Sequence, residues 1–290
     1  MFGRILFPTD FSPQAERVAN CLPDLKRLGL DEVILLNVIE IGKPIGFDSD
    51  TLERIIDWKT DSEARMKSLR EVLENAGIRV RVKIEPGVPH HNILRVAEDE
   101  RVDLIVMGTN GHGFLRGLTV ASVTHKVVQH AQVPTLVLKQ KLIDQLVTVE
   151  CEFICEHLLH RILLPTDFSA TAETALQIVK GVRDAGGKSV VLLHVMTGGK
   201  KLQAAEFVHA SERLEQIKRA LEFFGFSVSV LVGTGDPFKE IERVTEEQGI
   251  SLIVTGATGR SAAADVMLGS VADAVVCRQA RPVLVVPRIL

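Results

Sequence analysis

The sequence predicts an α/β protein made of two tandem open-sheet domains, each a five-stranded parallel sheet with helices on both faces. Three observations carry this reading. Short apolar runs alternate with longer amphipathic ones along the chain, which is the signature of repeated β–α units. The apolar runs are nearly continuous, as strands covered on both faces require. The whole pattern also occurs twice. Ile5-Leu6-Phe7-Pro8-Thr9-Asp10-Phe11-Ser12 recurs as Ile162-Leu163-Leu164-Pro165-Thr166-Asp167-Phe168-Ser169, an offset of 157. Val33–Val38 meets Val190–Val195 at the same offset. Leu104–Gly108 meets Leu252–Gly256 at 148, so copy one carries nine extra residues between about Ile39 and Gly77.

The elements follow in order. Arg4–Phe7 reads as the first strand. A helix near Pro13–Leu28 starts at Ser12-Pro13, an N-cap followed by proline at its first position, and ends at Gly29. Glu32–Val38 is the second strand, and a helix over roughly Asp50–Asn75 ends at Gly77. Arg79–Glu85 alternates Val80, Val82 and Ile84 with Arg79, Arg81 and Lys83, which predicts an edge or half-exposed strand. A helix near His90–Glu100 leads to the strand Asp103–Met107, and one at Ser122–His130 leads to Thr135–Leu138. Copy two repeats the order, with strands near 161–164, 189–195, 227–232, 251–255 and 283–286. The first domain is read as 1–140, an ordered apolar linker as 141–159, and the second domain as 160–290.

Bulk properties narrow the function. The 290 residues are 46% hydrophobic and 24% charged, with a formal charge of −3. That gives no basic field for nucleic acid, and no apolar run approaches the ~20 residues that span a bilayer. The N-terminal run ends at Pro8 and does not read as a signal peptide. A cytoplasmic location and reduced thiols at all four cysteines are therefore expected.

The chemistry concentrates in glycines. After the strand ending at Thr255 comes Gly256-Ala257-Thr258-Gly259, followed by Gly269-Ser270 opening a helix. Glycine permits close backbone approach and bare helix amides attract anions, so this stretch reads as a phosphate cradle. Copy one has Gly108, Gly111, then Ala121 in place of the third glycine, and Ser122.

The Pro-Thr-Asp-Phe-Ser run after strand one, Leu-Leu-His-Val at strand two and the Gly-Ser helix after strand four together resemble the universal stress protein family. The resemblance covers both copies, which makes the chain similar to a tandem member. It implies a strand order of 3-2-1-4-5 and, in one branch of the family, ATP at the strand tips; by phosphate chemistry a divalent ion, Mg, would share the phosphates. The nucleotide residues so implied are Pro165, Thr166 and Asp167 after strand one, and Val195 at strand two. Thr255, Gly256, Gly259, Gly269, Ser270 and Val271 complete the set, and Arg260, next to the cradle, can contact phosphate. A second, weaker site would use Thr9, Asp10, Val38, Gly108, Gly111 and Ser122. The crevice of that order falls between strands one and four, where open α/β sheets bind ligands. The resemblance also implies an intramolecular pseudo-dimer through the last strands of the two copies, and leaves room for a homo-dimer of chains.

Plainer roles stand beside these. Asp10 and Asp167 can each support a strand-to-helix turn, Arg260 can be a solvated cation, and Ala121 is tolerable if its φ is negative. His194 stands where copy one has Asn37 and reads as a packed strand residue. Cys151, Cys155, His157 and His160 crowd the linker with zinc-type ligands, but their spacing fits no finger pattern and no metal is assigned.

Enzyme classes fall away by motif. No Gly-x-Gly-x-x-Gly follows strand one and no Gly-x-x-x-x-Gly-Lys-Ser/Thr exists, which removes dinucleotide dehydrogenases and P-loop NTPases. No general base with an orienting partner is evident, so catalysis would be slow hydrolysis at most. The leading expectation is an ATP-binding regulatory protein of the stress-response type. The competitors are a weak ATPase or phosphotransfer enzyme, and an interaction scaffold without nucleotide.

Overall fold

The computed structural model describes residues 1–40, 49–108, 123–139, 142, 154–197, 204–260 and 267–288. The chain divides into two compact units, Met1–Glu152 and Phe153–Leu290.

In the first unit the strands are β1 (Arg4–Pro8), β2 (Glu32–Glu40), β3 (Arg79–Gly87), β4 (Leu104–Gly108) and β5 (Thr135–Leu138). They are ordered β3-β2-β1-β4-β5 and every pairing among them is parallel. The register sets Leu6 beside both Ile34 and Ile105. Helices α1 (Pro13–Cys21), α2 (Ser49–Asn75), α3 (Pro89–Asp99) and α4 (Val123–His130) connect them. Right-handed crossovers put α1 and α2 on one face and α3 and α4 on the other. On the second face Ile93, Val96 and Val127 pack against Leu6, Ile34, Leu36 and Ile105. Those side chains are almost wholly buried, each worth about 1.5–3 kcal/mol of apolar transfer.

The helix expected over Pro13–Leu28 is two elements. The α-helix stops at Cys21 and a 3-10 helix, Leu22–Leu28, follows. Pro23 is the cause: it has no amide to donate and its ring crowds the preceding turn, so the winding tightens. Gly29 closes it with φ 91°, the left-handed value glycine adopts at no cost. The expectation of four reduced thiols also needs correction. Cys21 is disulfide-bonded, whereas Cys155 and Cys277 keep their thiols. Cysteine counts do not say which thiols a fold brings together.

The second unit opens with a short helix, α5 (Ile154–Leu159). Its strands are β6 (Arg161–Pro165), β7 (Ser189–Met196), β8 (Ser227–Thr234), β9 (Leu252–Gly256) and β10 (Val283–Val286), joined by α6 (Ala170–Gly181), α7 (Ala204–Phe223), α8 (Pro237–Glu247) and α9 (Ser270–Arg278). The order is β8-β7-β6-β9-β10, again parallel throughout. Each unit therefore has the expected 3-2-1-4-5 sheet. No described helix is long and apolar enough to cross a membrane.

Candidate nucleotide site at the strand tips

In the second unit the chain leaves β6 through a turn tied by its own side chains. Thr166 Oγ1 accepts from the Phe168 amide at 3.0 Å and Asp167 Oδ1 from the Ser169 amide at 3.0 Å. Ser169 then caps α6, its Oγ accepting from Ala172 N at 3.3 Å. These are the short side-chain-to-backbone bonds at which Thr, Asp and Ser excel. They hold Phe168 at φ 62°, an unusual value for a bulky residue. The first unit repeats the turn bond for bond, through Thr9, Asp10 and Ser12, with Phe11 at φ 58°.

The loop after β9 comes to meet this turn. The Arg260 amide donates to Asp167 Oδ2 at 2.7 Å, and Thr171 Oγ1 donates to the Thr258 carbonyl. Two bonds thus join the tips of the first and fourth strands of the unit, where the crevice is expected. Burial opposes the Asp167 charge, but donors from Ser169 and the Arg260 amide outweigh it and hold the carboxyl below its ordinary value. One Asp167 oxygen thus supports the turn and the other ties it to the loop after β9.

The glycines have separate reasons. A Cβ on Gly256 would lie 2.5 Å from Thr171 Oγ1 and 3.0 Å from its backbone carbon. Gly256 is therefore needed for the close packing of α6, and not only for room above the strand. A Cβ on Gly259 would come 2.8 Å from Asp167 Oδ2, so that glycine makes room for the tether. Gly269 differs: its φ is −74°, and among the described residues a Cβ there would touch nothing nearer than Ala257 O at 3.5 Å. The described surroundings would accept alanine at this position. Ala121, its counterpart, lies outside the described residues, as do Gly111 and Ser122.

Gly269 is the N-cap of α9 and caps it with no side chain. Its own amide donates to the Ala257 carbonyl at 2.7 Å, which seats the helix start under the Gly256–Gly259 loop. Exposed Gly259, Arg260 and Ser270 surround this end, and Val271 is half-buried. Bare amides at a helix start, with the positive end of its dipole, suit an anion.

The structure brings Asp167, Gly259, Arg260 and Gly269 together. Pro165 ends β6 beside Leu193, and Thr166 N donates to the Leu193 carbonyl at 2.8 Å. Val195 lies two residues further along β7, half-buried. Thr255 is not an open ligand: it is buried and its Oγ1 turns to the Gly256 carbonyl. In the first unit Val38 pairs with Glu85 of β3, and the Gly108 carbonyl accepts from Thr124 Oγ1 at 3.3 Å. In the linker Cys155 is buried, and Cys151 lies outside the described residues.

Three participants, Thr171, Phe168 and Arg213, are not among the site residues that the sequence reading named. Thr171 has no repeat signal, because Gln14 stands at the equivalent place. Phe168 does recur as Phe11, and its left-handed φ in both copies is the missed sign. Arg260 and Arg213 both stand over its ring, at 5.5 and 4.3 Å. His194 braces the same turn. Its Nδ1 lies 2.7 Å from the Thr166 carbonyl, which can only accept, so Nδ1 carries the proton. Asn37 makes the matching bond to the Thr9 carbonyl at 2.9 Å. The exchange of His194 for Asn37 conserves a donor, as a packed strand residue should.

Comparison with known proteins agrees with this architecture. The profile of the Universal stress protein family matches residues 1–139 and 159–287. A universal stress protein of Methanocaldococcus jannaschii is 36% identical over 157 residues, covering 49% of this chain and 97% of that protein. One from Synechocystis is 31% identical over 137 residues, 47% of this chain and 85% of that protein. The crystal structure of a universal stress protein from Archaeoglobus fulgidus superposes with a TM-score of 0.76 at 26% identity, covering 99% of this chain and 98% of that one. Two matched domains account for nearly the whole sequence, and the chain belongs to the universal stress protein family.

Proposed function

We propose that this protein is an ATP-binding regulatory member of its family, holding the nucleotide mainly at the strand tips of the second unit. The observation that carries the reading is the joined pair of loops. Asp167 and the Arg260 amide fix the crevice beside the uncapped start of α9, so donors for phosphate are in place before a ligand arrives. Gly269 supports it further. Packing among the described residues does not require glycine there, which favours ligand approach as its reason.

In this reading the amides of the Gly256–Gly259 loop and of Ser270 and Val271 take the phosphates, with the Ser270 hydroxyl adding a donor. Asp167, Thr166 and Val195 lie toward the nucleoside. Mg would be held largely by phosphate oxygens and water, as that ion prefers, because Asp167 already spends both carboxylate oxygens on backbone amides. The role is binding rather than turnover: ATP shifts the protein toward the state it binds more tightly.

The test is calorimetric titration of ATP and Mg into the full chain and into Gly269→Val, with mass analysis of nucleotide released from freshly purified protein. The expected result is one tight site per chain that the substitution weakens at least ~100-fold, about 2.7 kcal/mol. Unchanged affinity overturns the assignment. Protein that carries no adenine nucleotide and ignores added ATP in thermal melts favours the scaffold reading. Steady-state phosphate release well above a Ser270→Ala, Asp167→Asn double variant favours the ATPase reading.

A further inference from the structure

The two units carry the same arginine in the same place and use it differently. The repeat pairs Arg65 of α2 with Arg213 of α7 at an offset of 148. It pairs Glu16 with Glu173 and Phe11 with Phe168 at 157. In the first unit Arg65 Nη2 donates to the Phe11 carbonyl at 2.7 Å and lies 3.3 Å from the Glu16 carboxylate. Its guanidinium sits 4.6 Å from the Phe11 ring centroid. In the second unit Arg213 keeps only the ring contact, at 4.3 Å from Phe168. Glu173 accepts instead from Gln177 Nε2 at 2.9 Å, and among the described residues Arg213 forms no ion pair.

The region between α6, α7 and the sheet holds a cavity of about 130 Å³. Leu164 and Leu192 line it from the strands, Leu176 and Ile217 from the helices, and Arg213 and Glu173 also border it. The first unit has the larger, fully buried Phe7 where the second has Leu164. The cavity is thus matched by two exchanges between the copies: a smaller strand residue, and an arginine released from its carboxylate.

We propose that this cavity is a binding site for a small apolar monocarboxylate of about benzoate size. The carboxylate takes on Arg213 the place that Glu16 has on Arg65, and the apolar group lies on Leu164, Leu192 and Ile217. The size fits, since a cavity of ~150 Å³ accepts a benzene ring, although Thr166, Glu173, Arg213 and Gln216 make much of this lining polar. One guanidinium with a carboxylate close by at the border suits a single negative charge and not a phosphate dianion. The site adjoins the crevice holding Gly259 and Arg260 and shares Thr166 and Phe168 with it, but lies on the far side of that turn between α6 and α7.

The experiment titrates sodium benzoate and its neutral analogue benzamide into the full chain, following the assigned methyl resonances of Leu164, Leu192 and Ile217. Benzoate is expected to shift them saturably, with a Kd of about 1 mM or tighter. Leu164→Phe, which imports the residue of the first unit, should weaken benzoate at least ~10-fold. Arg213→Gln should weaken benzoate at least ~10-fold and leave benzamide within ~2-fold. No saturable shift at these methyls up to the solubility limit overturns the proposal, as does undiminished benzoate binding by a folded Leu164→Phe. If that variant does not fold, the arginine variant decides, and equal losses for benzoate and benzamide overturn the proposal.

Discussion

Asp167 carries two bonds that hold two different loops, and its charge state decides both. Its oxygens accept from Ser169 N and Arg260 N, and these donors keep its pKa below the ordinary value despite burial. A carboxylate with a depressed folded pKa contributes stability that is complete above its unfolded value, about 3.9. That contribution disappears as pH falls through the folded value. Asp167→Ala is therefore expected to lose about 1–2 kcal/mol from the second unit at neutral pH. The gap from wild type should close on acidification below the ordinary carboxylate range. Urea denaturation across that range measures it, and a gap that widens toward acid contradicts the role assigned to the charge. The recurrence of Thr-Asp-Phe-Ser made this residue visible in the sequence. Its second bond was not visible, because the partner is a backbone amide 93 residues away with no side-chain signature.

At the scale of elements the two copies diverge at the opposite end of the sheet. In the first unit Glu32, at the start of β2, receives Arg4 from β1 and Arg81 from β3, each at 2.7 Å. Glu100 after α3 adds Arg81 at 2.6 Å and Lys83 at 2.7 Å. Glu32 is nearly buried; desolvation opposes its charge, and the two arginines override it and lower its pKa. Glu100 is lowered chiefly by Lys83. The second unit has Ser189 and Gln248 at the equivalent positions, and Arg161 donates to Gln248 at 2.8 Å. Glu32→Gln should cost the first unit about 1–2 kcal/mol at pH 7, discounted for the half-exposed arginines. The sign follows from the lowered pKa: the loss fades as pH falls through the folded value. Denaturation at pH 7 and in acid, following a probe in each unit, measures this. A loss that is independent of pH, or that falls on the second unit, contradicts it.

The element level was also where the sequence read well and then stopped. Strand and helix order were legible because alternation and apolar runs are local signals. The break at Leu22 was not, because Pro23 can open a helix as readily as interrupt one, and only packing decides. The matched cavity and arginine were illegible for a similar reason. Arg65 and Arg213 sit on long polar helix faces, where no motif marks which register meets the sheet. Gly256 was found, but its reason, the approach of Thr171, is a tertiary contact with no local signal.

Over the whole molecule, duplication followed by divergence predicts an uneven response to ligand. Both units keep the Asp-centred turn and the sheet order. The complete Gly-Ser motif belongs to the second alone, since Ala121 and Ser122 replace it in the first. Ligand that binds only the native state stabilises it by RT ln(1 + [L]/Kd), about 2.7 kcal/mol at 100-fold excess over Kd. That gain is felt by whichever unit holds the tighter site. Hydrogen exchange of the full chain with rising ATP and Mg should therefore raise protection first in residues 165–169, 256–260 and 269–278. The matching segments 8–12 and 123–130 should follow only at concentrations at least ~10-fold higher. Simultaneous protection of both sets would show that alanine at position 121 leaves the first cradle as good as the second. The negative φ and open surroundings of Gly269 make that outcome sterically accessible, so the measurement separates a cost to the protein from a cost to the ligand.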